Sequence, residues 1–156
     1  IMNAVAMQSM FEKLGAECRV ASALDVHQIA EPYRRRRAMR HMEKGRIVIC
    51  AGGTGSPFFT TDSAAALRAL ELGCDVLMKA TKVNGVYDKD PEKHKNAKLF
   101  AKLSYHDVLE QELAFMDLSA VSLCKDGGLP IIVFNLNKAG NMKKVVSGES
   151  VGTIVH

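Results

Sequence analysis

The chain has 156 residues, and 21 basic against 17 acidic side chains leave a net charge of +4, with 24% charged and 47% hydrophobic residues, the balance of a globular domain. Disorder, collagen-like repeats and low complexity are excluded. So is a membrane-spanning helix, because the longest apolar runs, Ile47 to Ala51 and Pro130 to Phe134, fall far short of the roughly 18 residues a span needs.

In chain order, the apolar residues Met2, Val5, Ala6, Met10 and Leu14 recur at three and four, which predicts an amphipathic helix ending near Gly15. It has no cap and no initiator Met ahead of it, so an N-terminal portion preceding residue 1 is expected, and no basic-then-apolar secretory leader opens it. A short strand is predicted at Cys18 to Ala21, then a helix opened by Glu31-Pro32 with Gly45 beyond its end. Ile47 to Ala51 reads as a buried strand. A glycine-rich loop follows, then a helix from Ser63 to Leu72 stopped by Gly73, and a strand from Asp75 to Ala80. Ser104 with Asp107 resembles a capping box, and Asp117 can cap a further helix that ends at Gly127-Gly128. Strand Ile131 to Asn135, helix Met142 to Val146 and strand Gly152 to Val155 complete the chain. Alternating strands and helices with continuously apolar strands predict one α/β domain over residues 1–156, with a mostly parallel sheet covered on both faces.

Cys18, Cys50, Cys74 and Cys124 form no CxxC pair, and Cys50 and Cys74 sit in apolar runs as small buried hydrophobes. The five histidines are equally scattered, so no built-in metal site is expected. A cytoplasmic protein fits all of this.

In open α/β sheets ligands collect beyond the carboxyl ends of strands, which directs attention to the loops after Ala51, Ala80 and Asn135, of which the first two are unusual. The first reads Gly52-Gly53-Thr54-Gly55-Ser56-Pro57-Phe58-Phe59-Thr60-Thr61-Asp62. Glycines let backbone amides approach an anion, the following helix adds donors and its dipole, and Thr60 and Thr61 add hydroxyls, so a phosphate fits. There is no Gly-Lys-Ser/Thr of a Walker A loop and no dinucleotide fingerprint. The alternative is a tight strand-to-helix turn with Thr61 or Asp62 as N-cap. Phe58 and Phe59 either fold back onto the core or present a ring to a ligand. The second loop, Thr81 to Pro91, carries Asn84-Gly85 between valines, the signature of a simple hairpin. Yet Thr81 and Lys82 stand at a strand's carboxyl end, and Tyr87 with Asp90 offers a ring and a carboxylate suited to a nucleotide.

Together the two loops resemble a known family. Gly-Thr-Gly-Ser-Pro-Phe-Phe-Thr-Thr-Asp at 53 to 62 is similar to the uridylate-binding segment of bacterial UMP kinases, and Thr81 to Pro91 to the ATP-side loop of the wider amino acid kinase superfamily. Glu31-Pro32-Tyr33, Phe115-Met116-Asp117-Leu118, Phe134-Asn135 and Gly152-Thr153-Ile154 extend the resemblance over nearly the whole chain. It implies a three-layer αβα sandwich of the amino acid kinase type, incomplete at its N-terminal side, and Mg2+-dependent phosphoryl transfer from ATP to UMP. It implies that Thr54, Gly55, Ser56, Pro57, Phe58, Phe59, Thr60 and Thr61 hold UMP. Thr81, Lys82, Asn84, Tyr87 and Asp90 would hold ATP, Asp117 would position the transferring group or its metal, and Asp62 is a second candidate for that role. It also implies a hexamer, with GTP and UTP as effectors in many members. Arg34 to Arg37 with Arg40 then read as a solvated or subunit-facing surface instead of a nucleic-acid contact.

Two departures qualify the resemblance. Ser56 stands where the family has Asn, and the family's Lys-x-Ser-Gly-Glu strand, Gly-Gly-Gly-Asn loop and Asp-containing uridine contact do not occur in these residues. The chain therefore reads as the C-terminal part of such an enzyme, and the rival expectation is a nucleotide-binding or assembly fragment without catalysis. A third reading, supported by the second loop alone, is another kinase of the superfamily acting on an amino acid or other small acceptor.

Overall fold

A computed structural model describes all residues, 1–156. The chain divides into two compact units, Ile1–Gly73 and Cys74–His156. The elements of the first are α1 (Met2–Lys13), β1 (Cys18–Ser22), β2 (Glu31–Pro32), α2 (Arg35–Glu43), β3 (Ile47–Ala51) and α3 (Thr61–Leu72). Its sheet has the order β2-β1-β3, parallel throughout, with Cys18 opposite Ile47 and Ala21 opposite Glu31. Small side chains let α1 lie close on this sheet: Ala4, Val20, Ala30 and Ala51 form the core, with Ile1, Val26 and Ile49 against it.

Several expectations change here. Helix α1 forms, but it buries the Ile1, Ala4, Val5, Gln8, Phe11 side, while Met2, Met10 and Leu14 are 85%, 60% and 81% exposed. Methionines surround this helix, so its periodicity fits more than one face and only the sheet decides between them. Glu31-Pro32 does not open α2; it forms the edge strand β2, and the Tyr33 N–H continues the pairing by donating to the Ser22 carbonyl at 2.7 Å. Proline disfavours a helical conformation at Glu31, and an edge strand needs no amide from Pro32. Strand β3 forms as expected but is buried only at Ala51, and Cys50 is exposed; the fully buried thiols are Cys18 and Cys124.

The second unit holds β4 (Leu77–Thr81), β5 (Lys102–Leu103), α4 (Tyr105–Glu110), α5 (Leu118–Asp126), β6 (Ile131–Asn135), α6 (Asn141–Val146) and β7 (Thr153–Val155). The sheet order is β4-β6-β7-β5; β4 with β6 and β5 with β7 are parallel, whereas β6 and β7 run antiparallel. Val108, Ala120, Val121, Cys124, Ile131, Val133, Phe134 and Val155 are wholly buried and make the core. The single expected sheet is thus two hydrogen-bonded sheets, both mostly parallel. Helix α4 starts with the anticipated capping box: Ser104 Oγ accepts from the Asp107 amide at 3.1 Å, and the Ser104 amide donates to Asp107 Oδ2 at 3.0 Å. The two-residue strand β5 carries no periodic signal, and the sequence does not anticipate it.

Candidate functional site

The first loop runs from the carboxyl end of β3 to α3. Gly52, Gly53, Gly55 and Phe58 all have positive φ, so four left-handed residues fall within seven and fold the backbone tightly on itself. The Thr54 hydroxyl accepts from the Ser56 amide at 3.1 Å and so closes a local turn. Thr60, and neither Thr61 nor Asp62, is the N-cap of α3: its hydroxyl accepts from the Ser63 amide at 3.4 Å. Asp62 lies in the first helical turn, where a carboxylate complements the dipole. Phe58 and Phe59 do not return to the core, being 103% and 60% exposed, and Phe58 has a φ of 68°. An aromatic residue held left-handed without packing is strained, and such strain gathers where a loop meets a ligand.

Beside this loop lies a cleft of about 280 Å³ lined by Cys50, Gly52, Gly53, Thr61, Ala64, Ala65 and Arg68. Arg68 is the cation there that sequence reasoning missed. Its guanidinium sits 3.8 Å over the Tyr33 ring and donates to Glu71 Oε2 at 2.7 Å, while the Tyr33 hydroxyl donates to the same oxygen at 2.7 Å. Arg35 Nε donates to the Glu71 carbonyl. Burial, then the hydrogen bond to Glu71, pushes Tyr33 up to about 12. Burial would raise Glu71 too, but the hydrogen bonds from Tyr33 and Arg68 and the Arg68 and Arg35 charges outweigh it, and the carboxyl lies below its ordinary value. One exposed signal exists in the sequence: Arg68 is the lone charge in Ala64-Ala65-Ala66-Leu67-Arg68-Ala69-Leu70.

The second loop leaves β4 in the other unit and is not a two-residue hairpin. Val83 and Val86 do not pair; instead Tyr87 bridges Leu99 antiparallel, and Asp88 joins Lys98 through its own amide and through Oδ1 at 2.7 Å from the Lys98 amide. Val83, Gly85, Val86, Tyr87, Asp88, Lys89, Asp90 and Pro91 form one wall of a cleft of about 450 Å³ whose other wall is Gln111 to Phe115. Tyr87 and Asp90 therefore share a cleft. Thr81, Lys82 and Asn84 are not part of its lining: the Thr81 hydroxyl turns inward to the Val83 carbonyl at 2.8 Å, Asn84 Oδ1 accepts from Asn135 Nδ2 at 3.2 Å, and Lys82 is exposed. Backbone donation from Glu92 at 2.9 Å, together with Lys93, holds the Asp90 carboxyl below its usual range. The wall at 111–115 was missed, because an irregular segment carries no periodic signal.

Asp117 occupies the N-cap position of α5, where its carbonyl accepts from the Val121 amide at 3.0 Å, but its side chain does not cap the helix. No group of three or more His, Cys, Asp or Glu side chains is placed to hold a metal ion. No helix is long and apolar enough to cross a membrane.

Comparison with known proteins gives these features a family. The chain is similar to the crystal structure of UMP kinase from Bacillus anthracis, at 39% identity and a TM-score of 0.95, over 99% of this chain and 64% of that one. The UMP kinase of Ureaplasma parvum matches at 31% identity and 0.93, over 99% and 66%, and the uridylate kinase of Archaeoglobus fulgidus at 31% and 0.65, over 87% and 62%. The chain thus spans about two thirds of the length of each of these proteins. A sequence profile of the amino acid kinase family matches residues 1–135, and the chain belongs to that family.

Proposed function

We propose that this chain carries the acceptor loop and the ATP-side cleft of a UMP kinase, which moves the γ-phosphoryl group of ATP to UMP and yields UDP and ADP. The observation that carries the reading is the Thr54 to Thr61 loop: left-handed backbone, hydroxyls and a helix N-terminus at the carboxyl end of a parallel strand, in a chain 39% identical to a UMP kinase. Amides and the Thr60 and Thr61 hydroxyls suit the UMP phosphate and ribose, and the exposed Phe58 and Phe59 rings suit its base. Tyr87 and Asp90, on the wall of the 450 Å³ cleft, suit the base and ribose of ATP.

The acceptor is a phosphate oxygen that already bears charge, so no base has to remove a proton. Its attack forms the new P–O bond as the bond from the γ-phosphorus to the β–γ bridging oxygen breaks, and the electron pair leaves with ADP. What the protein supplies is alignment and charge neutralisation. Asp117 is assigned to position the transferring group, with Asp62 second. The Mg2+ that travels with ATP would be bound to its phosphates, with Asp117 as the protein carboxylate assigned to it. The ATP-side loop carries two cations, Lys82, exposed at the strand end, and Lys89, on the cleft wall. A hexamer, the cytoplasm and regulation by GTP and UTP belong to the same proposal.

The test is a substrate panel on the complete protein with Mg-ATP and UMP, CMP, aspartate or glutamate. Transfer to UMP well above the others is expected; preferential transfer to an amino acid would replace this reading with another kinase of the family. UDP formation by the 156-residue chain alone would overturn the rival expectation of a fragment without catalysis.

A further inference from the structure

The ATP-side loop is fastened from behind by one buried hydroxyl. Val86 and Phe100 face each other across the loop's base, and the Phe100 amide donates to the Val86 carbonyl at 2.9 Å. In an ordinary antiparallel pair the reciprocal bond would run from the Val86 amide to the Phe100 carbonyl. Here the Thr153 hydroxyl is interposed: it accepts from the Val86 amide at 2.9 Å and donates to the Phe100 carbonyl. Thr153 is fully buried and Val86 is 2% exposed, so water cannot take over either bond.

The surrounding backbone is built to admit this hydroxyl. A Cβ on Gly85 would stand 2.4 Å from Thr153 Oγ1, and one on Gly152, whose φ is 80°, would stand 2.0 Å from the Val133 carbonyl oxygen and 3.1 Å from that of Asn84. Two glycines thus bring β7 against the turn of the loop, and the Asn135 amide group holds Asn84 from β6. Gly85 and Val86 then run directly into Tyr87 to Pro91 along the cleft wall.

We propose that Thr153 is a positioning residue for ATP, setting the register of residues 85–91 through the Val86 amide and the Phe100 carbonyl. The proposal rests on the reading of this cleft as the ATP side. Thr153→Val keeps the shape and removes the hydroxyl, which strands a buried donor and a buried acceptor; Thr153→Ser keeps the hydroxyl. In the complete protein, Thr153→Val should raise the KM for ATP about tenfold, equivalent to about 1.4 kcal/mol, with kcat and the KM for UMP within twofold. Thr153→Ser should restore the ATP value. Val155→Ala, a cavity two residues along the same strand, should lower thermal stability without moving the KM for ATP.

Equal shifts in Thr153→Val and Val155→Ala, or no rescue by Ser, would overturn the proposal. Amide hydrogen exchange gives an arm that needs neither variant nor nucleotide. The Val86 amide should exchange as slowly in the wild type as the paired amides of β6, and fast exchange there would overturn the latch even if Thr153→Val did not fold. Failure of the kinase reading would look different, with slow Val86 exchange but no ATP-dependent transfer to UMP by the wild type.

Discussion

Phe58 offers a test in which stability and binding should move in opposite directions. Its left-handed backbone costs about 1–2 kcal/mol relative to a residue free of Cβ crowding, and its ring, 103% exposed, buries nothing against the protein. Phe58→Gly therefore forfeits no packing. It removes the strain and adds back the entropic cost of glycine, about 0.5–1 kcal/mol. The net expectation is a gain of about 0–1.5 kcal/mol in stability, or a rise in Tm of roughly 0–6 °C. Phe58→Ala keeps the strain and should be close to neutral. If the ring stacks on the uracil base, both substitutions lose about 1–3 kcal/mol of binding, and the KM for UMP rises about tenfold in each while the KM for ATP stays unchanged. Urea unfolding supplies the stability and steady-state kinetics the affinity. A loss of more than 1 kcal/mol in Phe58→Gly would refute the strain argument, and an unchanged KM for UMP in both variants would remove the ring from the site.

Other substitutions separate structural from binding roles. Thr60→Ala should cost about 1 kcal/mol of stability through the lost cap on α3, whereas Thr61→Ala should cost less; both should raise the KM for UMP, and unchanged UMP affinity in both would sink the assignment of this loop. Asp117→Asn should lower kcat about a hundredfold with small changes in either KM, and undiminished turnover at saturating ATP and UMP would leave Asp117 without a catalytic part. Glu71 titrates below its ordinary value near 4.5 in the folded protein, so its contribution is complete above that pH and is lost as pH falls through the lower folded value. Urea midpoints measured from pH 6 to pH 3 should fall less in Glu71→Gln than in the wild type, and parallel curves would show that the Tyr33–Arg68–Glu71 cluster is not linked to the acid limb.

What was legible in the sequence is what short-range chemistry decides. Strand β6 is a continuous apolar run behind Pro130, helix α4 announces itself through Ser104 and Asp107, and Gly73 ends α3 in a left-handed conformation. What was not legible depends on partners distant in the chain. Which face of α1 is buried is settled by Val20 and Ala51, not by the spacing of its methionines. Glu31-Pro32 is compatible with a first helical turn or an edge strand, and pairing with Ala21 and Ser22 selects the strand. Within the two loops the residue types that suit phosphate and base were visible, but Arg68 acquires its setting from Tyr33, 35 positions earlier, and the Gln111 to Phe115 wall faces Tyr87 only through the fold. Thr153 shows the limit most sharply, since a single hydroxyl 67 residues from Val86 has no local signature at all.

The two loops differ in how they are held, and the difference bears on the order of events at each. The loop proposed for ATP is fixed at Thr81 by a turn and the Phe134 carbonyl, at Asn84 by Asn135, at Val86 by Thr153 and at Asp88 by Lys98, so its cleft wall is tied down along its length. The acceptor loop is held mainly at its ends, by the Ala51 carbonyl accepting from Ala23 and by the Thr60 cap, while Gly55 to Phe59 between them lie exposed around a strained Phe58. Segments with few buried contacts open at low free energy and are the ones that reorder on binding. If the proposed assignment of the two loops holds, the donor side would ask little ordering of ATP, and the pliant acceptor side would spend part of the binding energy of UMP on ordering its own loop. Discrimination among acceptors should then be expressed in the ordering of this loop, because an acceptor that cannot engage Phe58, Phe59 and the two threonines together gains less binding energy to offset the ordering cost.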